Sequence, residues 1–509
     1  MKGVPDPIAR VIDTGDRTWT NKHQTFTTTV QGLFDVLNPD LGDQFQEYLE
    51  TTKSLQAVIA DAIEDEVPIR MLGGGWSFSQ VAATDGRLYN TKPLNLYFRM
   101  AANRLDPAYP GDPGHLWFVQ CGNSIAELSR KLRAEGQSLR TTGASNGQTL
   151  VGAMSTGTHG SAIDVGAIPD YVVGLHVIVS PTRHVLLQRA SRPVVNQTFA
   201  TRLGAELLTR DDLFNAALVG LGGCGIIHGA LIETDDLFLL QMFRRRMPFD
   251  AALRTAITTL DFSGLALPKP DRPFHFEVVI NPYDQPGGAY VTAMYRRPYR
   301  ESYTRIKPKG TMAPGDNALA LIGALTDAVP AAIPALVRTL TKSTYKVYPN
   351  GIEGTIGEIF SATTTTGRAA GCALGIPLER AAEAVDVALK VIEDEGPFAA
   401  IVALRFVKAT QATLGFTRFA PYTCILDLDG VLSARTMRFY SLVWSGMRAA
   451  GIPFTLHWGK IVGLNPATVR SFYGAAMDDW IQARNELLSD PKARGAFASQ
   501  FLIGAGLAT

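Results

Sequence analysis

Apolar positions recur with a helical period in several stretches of the chain. SLQAVIADAIED (54–65) predicts an amphipathic helix capped by Ser54. NSIAELSRKLRAEG (123–136) predicts another helix, with the serine–glutamate capping box that marks a helix start. NPATVRSFYGAAMDDWIQARNELL (465–488) begins with an Asn-Pro pair, which favours a helix N-terminus. Two further helices are predicted over 315–330 and 378–396.

Other stretches are rich in β-branched and aromatic residues between turn residues, which predicts strands. In the first half these are VPIRML (67–72), HLWFVQCG (115–122) and the hairpin VVGLHVIVSPTRHVLLQ (172–188). In the second half they are FHFEVVINPY (274–283), GAYVTAMYRRP (288–298), FAAIVALRFVKA (398–409) and YTCILDLDG (422–430). Strands and helices do not alternate regularly, and the texture changes near residue 236. A second α+β domain is therefore predicted to begin there. TTTTG (363–367) predicts a polar loop.

Composition and charge narrow the function classes. The chain has 509 residues, enough for two or three domains, and 48 Lys and Arg against 47 Asp and Glu give a net charge of +1. This balance argues against a nucleic-acid partner, which would need a concentrated basic face. The four cysteines form no CxxC pair and the eight histidines show no metal-binding spacing, so neither a metal site nor disulfides are expected.

Two stretches of the sequence bear on where in the cell the protein is expected. The first residues, MKGVPDPIARVIDTGD, lack the apolar region of a secretory signal, so we expect a cytoplasmic protein. The most apolar stretch, 317–337, is interrupted by Asp327, Pro330 and Pro334. It favours a buried or interfacial helix pair over a membrane span, and no transmembrane segment is expected.

Three glycine-rich stretches could hold phosphate, because bare backbone amides at a turn form an anion-binding nest. They are LGGGWS (72–77), TTGASNGQTLVGAMSTGTHGS (141–161) and GLGGCGIIHG (220–229). The alternative for the first two is an irregular surface loop. The third matches GxGxxG, but IIHGALIE (226–233) is β-prone where a nicotinamide-binding motif needs a helix. A nicotinamide site is therefore not expected.

These stretches, in this order, resemble the family typified by vanillyl-alcohol oxidase, and within it the aldonolactone and alditol oxidase branch. The matching motifs are WTN (19–21), LGGGWSFS (72–79), TLVGAMSTGTHGS (149–161), GLGGCGIIHGAL (220–231), LHWGK (456–460) and DPKARGAFASQFL (490–502). The resemblance implies FAD as cofactor and an α+β, two-domain PCMH-type FAD-binding fold with an antiparallel-sheet substrate (cap) domain. The implied domains are 1–235 for FAD, 236–455 for the cap and 456–509 for a C-terminal segment that returns to the flavin.

The resemblance also assigns roles to residues. The implied pyrophosphate-binding residues are Gly73, Gly74, Gly75, Trp76 and Ser77. Those implied around the ribityl chain and the flavin ring are Thr149, Gly152, Thr156, Gly157, Thr158 and His159. Ile227 is implied to meet the adenine through its main chain, and His457 to contact the flavin. For His159 the alternative is a turn histidine without a flavin contact.

Trp76 departs from the family pattern. In many relatives this position holds a histidine that is bonded covalently to the flavin, and an indole cannot form that bond. FAD is therefore expected to be held non-covalently, or through another residue that the sequence does not identify. Cys121 and Cys224 lie near the flavin motifs but match no attachment position of the family. Trp76 is expected to pack against the edge of the flavin ring.

The resemblance places the chemistry on two cations. Lys460 corresponds to the family's active-site lysine, with a solvated surface lysine as the alternative, and Arg405 to an arginine that binds substrate hydroxyls. The glutamate that accompanies this arginine is replaced by Ala403, which disfavours a polyol substrate. The aromatic residues Phe406, Phe416, Phe419 and Tyr422 could line a more apolar pocket or belong to the core. Cys424 and Asp427 are alternative candidates for a further polar site residue.

The expected function is an FAD-dependent oxidase or dehydrogenase acting on CH–OH groups. It would transfer a hydride from an alcohol- or lactol-type carbon of a small-molecule substrate to the flavin, with O2 or another electron acceptor reoxidising it. One alternative is a tailoring oxidase for a hydrophobic or aromatic natural product. A second is a flavin-binding scaffold without turnover, which two cations at the site argue against. The sequence does not identify the substrate.

Overall fold

The computed structural model describes residues 10–305, 316–361, 363 and 367–509, and within them the chain builds three main β-sheets. The N-terminal sheet contains, in spatial order, Arg10–Asp13, Gly32–Leu37, Arg87–Asn90 and Ile69–Leu72. The central sheet contains Glu206–Thr209, His184–Gln188, Val172–Ile178, Ile226–Asp236, Leu116–Gln120 and Tyr97–Arg99, and Gln137–Leu139 pairs with the end of Ile226–Asp236. Strands Thr18–Thr20 and Thr27–Thr29 form a separate hairpin.

The third sheet, here the cap sheet, is antiparallel throughout its described pairs. Its strands are Tyr348–Gly354, Phe238–Met247, Ala289–Pro298, His275–Ile280, Ala400–Lys408, Tyr422–Val431, Ala369–Pro377 and Thr455–Leu456. The predicted α+β class with an antiparallel sheet is therefore confirmed. The predicted bounds of the three domains stay a prediction, although the chain passes from the central sheet to the cap sheet at residue 237.

The helices are distributed over all three sheets. Those of the first half are Gln44–Glu64, Ile125–Ala134, Leu150–Ser155, Gln197–Leu203 and Asp211–Leu218. Those of the second half are Ala251–Thr259, Asp316–Ala328, Ile333–Thr344, Ile356–Ile359, Ala381–Glu395, Ala434–Ala449, Pro466–Tyr473, Ala476–Leu487, Pro491–Ala496 and Gln500–Gly504. Within the described residues, no helix is both long enough and apolar enough to cross a membrane.

Two helix predictions were wrong in their bounds. The helix predicted over 54–65 begins at Gln44, where Asp43 accepts hydrogen bonds from two amides, and Ser54 lies buried in its middle. The first half of this helix is buried through aromatic and threonine side chains. Because threonine is polar, the apolar pattern in the sequence was weak there. The helix predicted over 465–488 is interrupted at Gly474, whose φ of +55° is outside the helical region.

The remaining predicted elements lie close to their predicted bounds. The capping box at Ser124 is present, and the hairpin of 172–188 pairs Val172–Ile178 with His184–Gln188. Part of the predicted loop 363–367 lies outside the described residues, and so do residues 1–9.

The cap sheet has two different faces because side chains alternate along a strand. One face packs against the helices Ala251–Thr259, Ala381–Glu395 and Ala434–Ala449 in a continuous apolar core. The other face is turned towards the N-terminal and central sheets. This second face carries the charged residues of the candidate site.

Candidate active site

A cavity of about 440 Å³ lies where the three sheets meet. Most of the predicted site residues line its wall. They are Gly73, Gly74, Gly75, Trp76, Ser77, Thr149, Gly152, Thr156, Thr158, His159, Ile227, Arg405, His457 and Lys460. The structure thus brings together residues that are far apart in the chain.

Gly157 is the exception among the predicted cofactor residues, because it does not line the cavity wall. Its backbone has a φ of +76°, and a Cβ there would lie 3.4 Å from the ring of Phe416. Glycine therefore suits this position because the turn needs a positive φ there. Its predicted contact with the cofactor stays a prediction.

The glycine turn after strand Ile69–Leu72 presents a row of free amides to the cavity. Within the described part of the chain, no hydrogen bond is donated by the amide nitrogens of Gly73, Gly74, Gly75, Trp76 and Ser77. Consecutive unpaired amides lining a cavity are suited to an anion such as a diphosphate. A Cβ on Gly74 would lie 2.6 Å from the carbonyl oxygen of Gly147, so a side chain would also collide with the facing loop. The turn fits the diphosphate of FAD.

The turn is fixed in place from two sides. On one side, the Lys22 amide donates to the Gly75 carbonyl at 2.8 Å, and the Asn21 side chain donates to the Ser77 carbonyl at 2.8 Å. On the other side, the Ser79 hydroxyl donates to the Trp458 carbonyl at 2.5 Å, within the HWGK stretch. The two predicted motifs LGGGWSFS and HWGK are therefore in direct contact.

Trp76 lies with its indole over Gly147, where a side chain would overlap the ring. The ring of His23 meets it edge-on at a centroid distance of 5.6 Å, and the Lys22 ammonium is 5.8 Å from its centroid. The tryptophan is 8% exposed and lines the cavity. An apolar ring at this point of the wall suits the edge of a flat aromatic ligand.

The TGTHG stretch follows a short helix that Thr149 caps, its hydroxyl accepting from the Gly152 amide at 3.2 Å. The His159 ring donates from Nδ1 to the Gly160 carbonyl at 3.0 Å and packs near His457, with ring centroids 5.7 Å apart. Burial lowers the pKa of His159 to about 4 and that of His457 well below its usual value. Both rings are therefore neutral near pH 7.

A row of alternating charges crosses the cavity side of the cap sheet. Arg405 lies directly opposite Glu277 on the neighbouring strand, and its Nη2 donates to Oε1 at 2.8 Å. A second ion pair joins Arg405 to Asp427 on the strand at its other side. Lys460 donates to Asp427 Oδ1 at 2.6 Å and to Asp429 Oδ1 at 3.1 Å.

These ion pairs fix the protonation states. Burial alone would raise the pKa of Asp427, but Lys460 and Arg405 override it and hold that pKa well below its usual range. Burial would lower the pKa of Lys460, and Asp427 and Asp429 raise it instead. The Lys460 side chain, 17% exposed, is thus a largely buried and protonated donor, and the surface-lysine alternative is wrong.

The HWGK turn sets the position of Lys460. Strand Thr455–Leu456 pairs with Ala369–Pro377, and the Ile461 amide returns to the Gly371 carbonyl at 2.8 Å. Lys460 is therefore held between two attachments to one strand, beside the strand that carries both aspartates.

Several open sequence alternatives are settled by the alternation of side chains. Asp427 lies on the cavity side, whereas Cys424 packs into the apolar core on the helix side. Ala403 leaves Arg405 without the expected carboxylate on its own strand, and Glu277 supplies one from the adjacent strand. The four aromatic candidates are absent from the wall formed by the described residues; they are Phe406, Phe416, Phe419 and Tyr422.

Sequence reasoning missed four residues of the site. Asp429 lines the cavity, and its position two residues after Asp427 places it on the same face, a signal that the LDLD pattern already carried. His23 lines the cavity with its Nδ1 buried and without a partner among the described groups. Arg70 and Glu277 alternate with apolar residues in their strands, and only the fold shows which face they occupy.

Comparison with known proteins agrees with FAD as the cofactor. Residues 47–185 match the family model described as FAD binding domain. L-gulono-1,4-lactone dehydrogenase of Mycobacterium tuberculosis (strain ATCC 25618 / H37Rv) is 23% identical over 427 residues, covering 82% of this chain and 87% of that protein. L-gulonolactone oxidase of Bos taurus is 23% identical over 211 residues, 42% of this chain and 41% of that protein.

Solved structures share the whole architecture. The crystal structure of cholesterol oxidase from B. sterolicum superposes with a TM-score of 0.67 at 14% identity, covering 99% of this chain and 100% of that chain. A solvent-stable cholesterol oxidase gives a TM-score of 0.69 at 14% identity over 99% of both chains. At this identity the likeness establishes the fold.

The FAD binding domain and the lactone oxidoreductases among the relatives identify an FAD-dependent oxidoreductase. FAD is its cofactor. Its FAD binding domain match and its curated relatives, a lactone oxidase and a lactone dehydrogenase among them, agree with this class.

Proposed function

We propose that the protein oxidises an alcohol- or lactol-type CH–OH group of a small molecule, with FAD held non-covalently and O2 as the electron acceptor. The observation that carries this proposal is the position of Lys460. Its ammonium lines the same cavity as the free-amide turn and is held by Asp427 and Asp429. The names of the curated relatives, lactone oxidases and a lactone dehydrogenase, support the same class of chemistry.

When bound, FAD supplies a two-electron acceptor for a hydride. The protein's own part is to bind, orient and donate. The amides of Gly73 to Ser77 would hold the diphosphate, and Trp76 would pack against the ring edge. Lys460 donates a hydrogen bond to the substrate oxygen or to the negative charge that develops in the reaction, which is the kind of preorganised stabilisation that accelerates such steps. Arg405 holds Asp427, which in turn holds Lys460.

Substitution of Lys460 tests this role. We expect Lys460→Ala to lower the rate of anaerobic flavin reduction by about 10²-fold, because one preorganised donor is lost. Arg405→Ala should act in the same direction. Lys408→Ala is the matched control, since this lysine is exposed at the end of the strand that carries Arg405. Unchanged reduction rates in both site variants would contradict the assignment.

Non-covalent binding is tested by acid precipitation. The cavity-lining thiol of Cys121 is kept protonated because burial raises its pKa to about 12, and an indole is no nucleophile. We expect all the yellow flavin to remain in the supernatant after precipitation. A yellow pellet would contradict the proposal and would point to His23 as the attachment residue to replace, since its ring lies beside Trp76 and its Nδ1 has no hydrogen-bond partner among the described residues.

One observation favours an apolar substrate as a second candidate. Ala403 packs with Val279 and Tyr290 in a small apolar cluster beside Arg405, and Tyr345 borders it. This face of the strand is therefore apolar next to Arg405 and lacks the carboxylate that a polyol substrate would need. Anaerobic reduction screened across lactones, polyols, sterols and aromatic alcohols separates the two candidates, and reoxidation in aerated buffer tests O2.

A further inference from the structure

We propose that Asp429 is the catalytic base that removes the hydroxyl proton of the substrate; this inference rests on the proposed oxidation of a CH–OH group. Its carboxylate lines the cavity with a side-chain exposure of 40%, whereas Asp427 beneath it is fully enclosed. Among the described cavity-lining residues, Asp429 is the acidic one.

The hydrogen bonds of Lys460 place the substrate oxygen next to Asp429. An ammonium has three N–H bonds, and two of these go to Asp427 and Asp429. The third is left for an oxygen in the cavity. Acceptors that share one ammonium nitrogen lie within about 5 Å of each other, so a hydroxyl bound by Lys460 is within reach of the Asp429 carboxylate directly or through one water.

The neighbouring strand keeps the space above this pair open. Gly371 lies opposite Asp429 in the register, and a Cβ there would be 3.1 Å from Asp429 Oδ1 and 3.5 Å from Lys460 Nζ. A side chain at this position would crowd both the carboxylate and the ammonium. The glycine therefore leaves both the donor and the carboxylate accessible from the cavity.

Other titratable groups on the wall are less suited to this role. Lys460 and Arg405 are protonated, and the Cys121 thiol is as well. His457 Nδ1 accepts from the Gly459 amide at 2.9 Å, which leaves the ring hydrogen on Nε2 and no free acceptor. His159 and His23 retain an acceptor nitrogen, but neither is bonded to Lys460 within the described contacts.

The proposed step balances. The C–H bond breaks as its hydrogen leaves with two electrons for the bound flavin, so the carbon is oxidised and the cofactor is reduced. The O–H bond breaks as its proton moves to the Asp429 carboxylate, and the electron pair left on oxygen completes the C=O bond. Lys460 keeps its proton and stabilises the oxygen during the change.

The experiment compares Asp429→Asn and Asp429→Ala with the wild type in anaerobic stopped-flow reduction. The probes are L-gulono-1,4-lactone, D-arabinono-1,4-lactone, cholesterol and benzyl alcohol. For a probe that reduces the wild type, we expect both variants to be about 10²-fold slower, the usual size of a lost general base. Added formate should restore part of the rate in Asp429→Ala, because a small carboxylate can enter the vacated space, and should leave the wild type unchanged.

The outcomes distinguish this inference from the function it rests on. If no probe reduces the wild type, both proposals fall. If the wild type is reduced and the variants keep its rate, only the role of Asp429 is overturned, and His159 or His23 becomes the base. Slow variants without formate rescue, or variants that no longer bind FAD, would make Asp429 a structural partner of Lys460. Asp386→Asn, which removes an exposed carboxylate on helix Ala381–Glu395, is the control for charge loss alone.

Discussion

Arg70 is a buried guanidinium without a carboxylate partner among the described residues. It is 3% exposed, lines the cavity, and donates to the carbonyls of Val81, Leu221 and Gly222. Burial lowers its pKa to about 10, which leaves it charged at neutral pH. A buried charge is costly unless an opposite charge accompanies it, so the diphosphate of FAD is the expected counter-charge.

Replacement of Arg70 by methionine should therefore weaken FAD binding. We expect a rise in the FAD dissociation constant of about 10-fold or more, the equivalent of one charged hydrogen bond, in a fluorescence titration of the apoprotein. Riboflavin, which has no phosphate, should bind with unchanged affinity. Arg470→Met, at an exposed ion pair, is the control. An equal loss for riboflavin would show that Arg70 acts only as a clamp between loops.

At the residue scale the sequence could predict motif residues but not their partners. HWGK and the glycine turn identified Lys460 and the amides that share its cavity. The carboxylates bonded to Lys460 lie on a strand with the sequence LDLD. Its alternation predicts that both aspartates share one face, but the packing of the sheet decides whether that face is the one towards the cavity. Cys424 lies in the core because it shares a face of the strand with Leu426 and Leu428, which pack against helices.

At the scale of elements, the C-terminal helices show how one residue divides a predicted unit. Helix Pro466–Tyr473 ends at Gly474, whose φ of +55° and ψ of −130° suit glycine alone, and the next helix starts at Ala476. Both helices pack into the core beneath the FAD-binding half through Val469 and Trp480. The break thus separates two short helices that each bury a face in the same core.

A pair of glycine substitutions tests this break. Gly474→Ala should lower the free energy of unfolding by about 1–3 kcal/mol, because alanine is strained at this backbone conformation. Gly495→Ala is the matched case: it lies in helix Pro491–Ala496 with open space around it, and it should be neutral or stabilising by up to about 1 kcal/mol. Urea unfolding of both variants gives the comparison. Equal effects would mean that the conformation of Gly474 is not required.

The positions of the strands were easier to predict than the strands with which they pair. The stretches 398–409 and 422–430 were recognised as strands, and they are adjacent in the cap sheet. The strand His275–Ile280, which brings Glu277 to Arg405, comes from more than a hundred residues earlier. No local pattern encodes a pairing at that separation, so the charge row became visible only in the fold.

At the scale of the whole molecule, buried neutral histidines make the fold sensitive to acid. Burial lowers the pKa values of His23, His159 and His275 to about 4 from an ordinary value of 6.5. A depressed histidine pKa stabilises the fold above pH 6.5, and this contribution is lost as the pH falls from 6.5 towards 4, because the unfolded chain takes up the protons first. At pH 5, each such histidine lowers the free energy of unfolding by roughly 1–2 kcal/mol relative to neutral pH.

We therefore expect the melting temperature to fall steadily between pH 6.5 and pH 4.5 and to change little between pH 7 and 8. Thermal denaturation in a series of buffers of equal ionic strength measures this. His275→Gln should flatten the pH dependence, since His275 Nε2 is buried without a described partner and its protonation is part of the cost. A melting temperature that stays level down to pH 5 would contradict the assignment.

The segment after TGTHG is joined to the cap sheet by backbone hydrogen bonds. The Phe276 amide donates to the Ser161 carbonyl at 3.3 Å, and the Ile163 amide donates to the Phe274 carbonyl at 3.0 Å. The Phe406 amide donates to the Ser161 hydroxyl at 3.0 Å. A chimaera that combines this flavin-binding half with the cap of a homologue should consequently include residues 161–163 in the transplanted part. Otherwise these hydrogen bonds between the two halves would be lost next to the cavity.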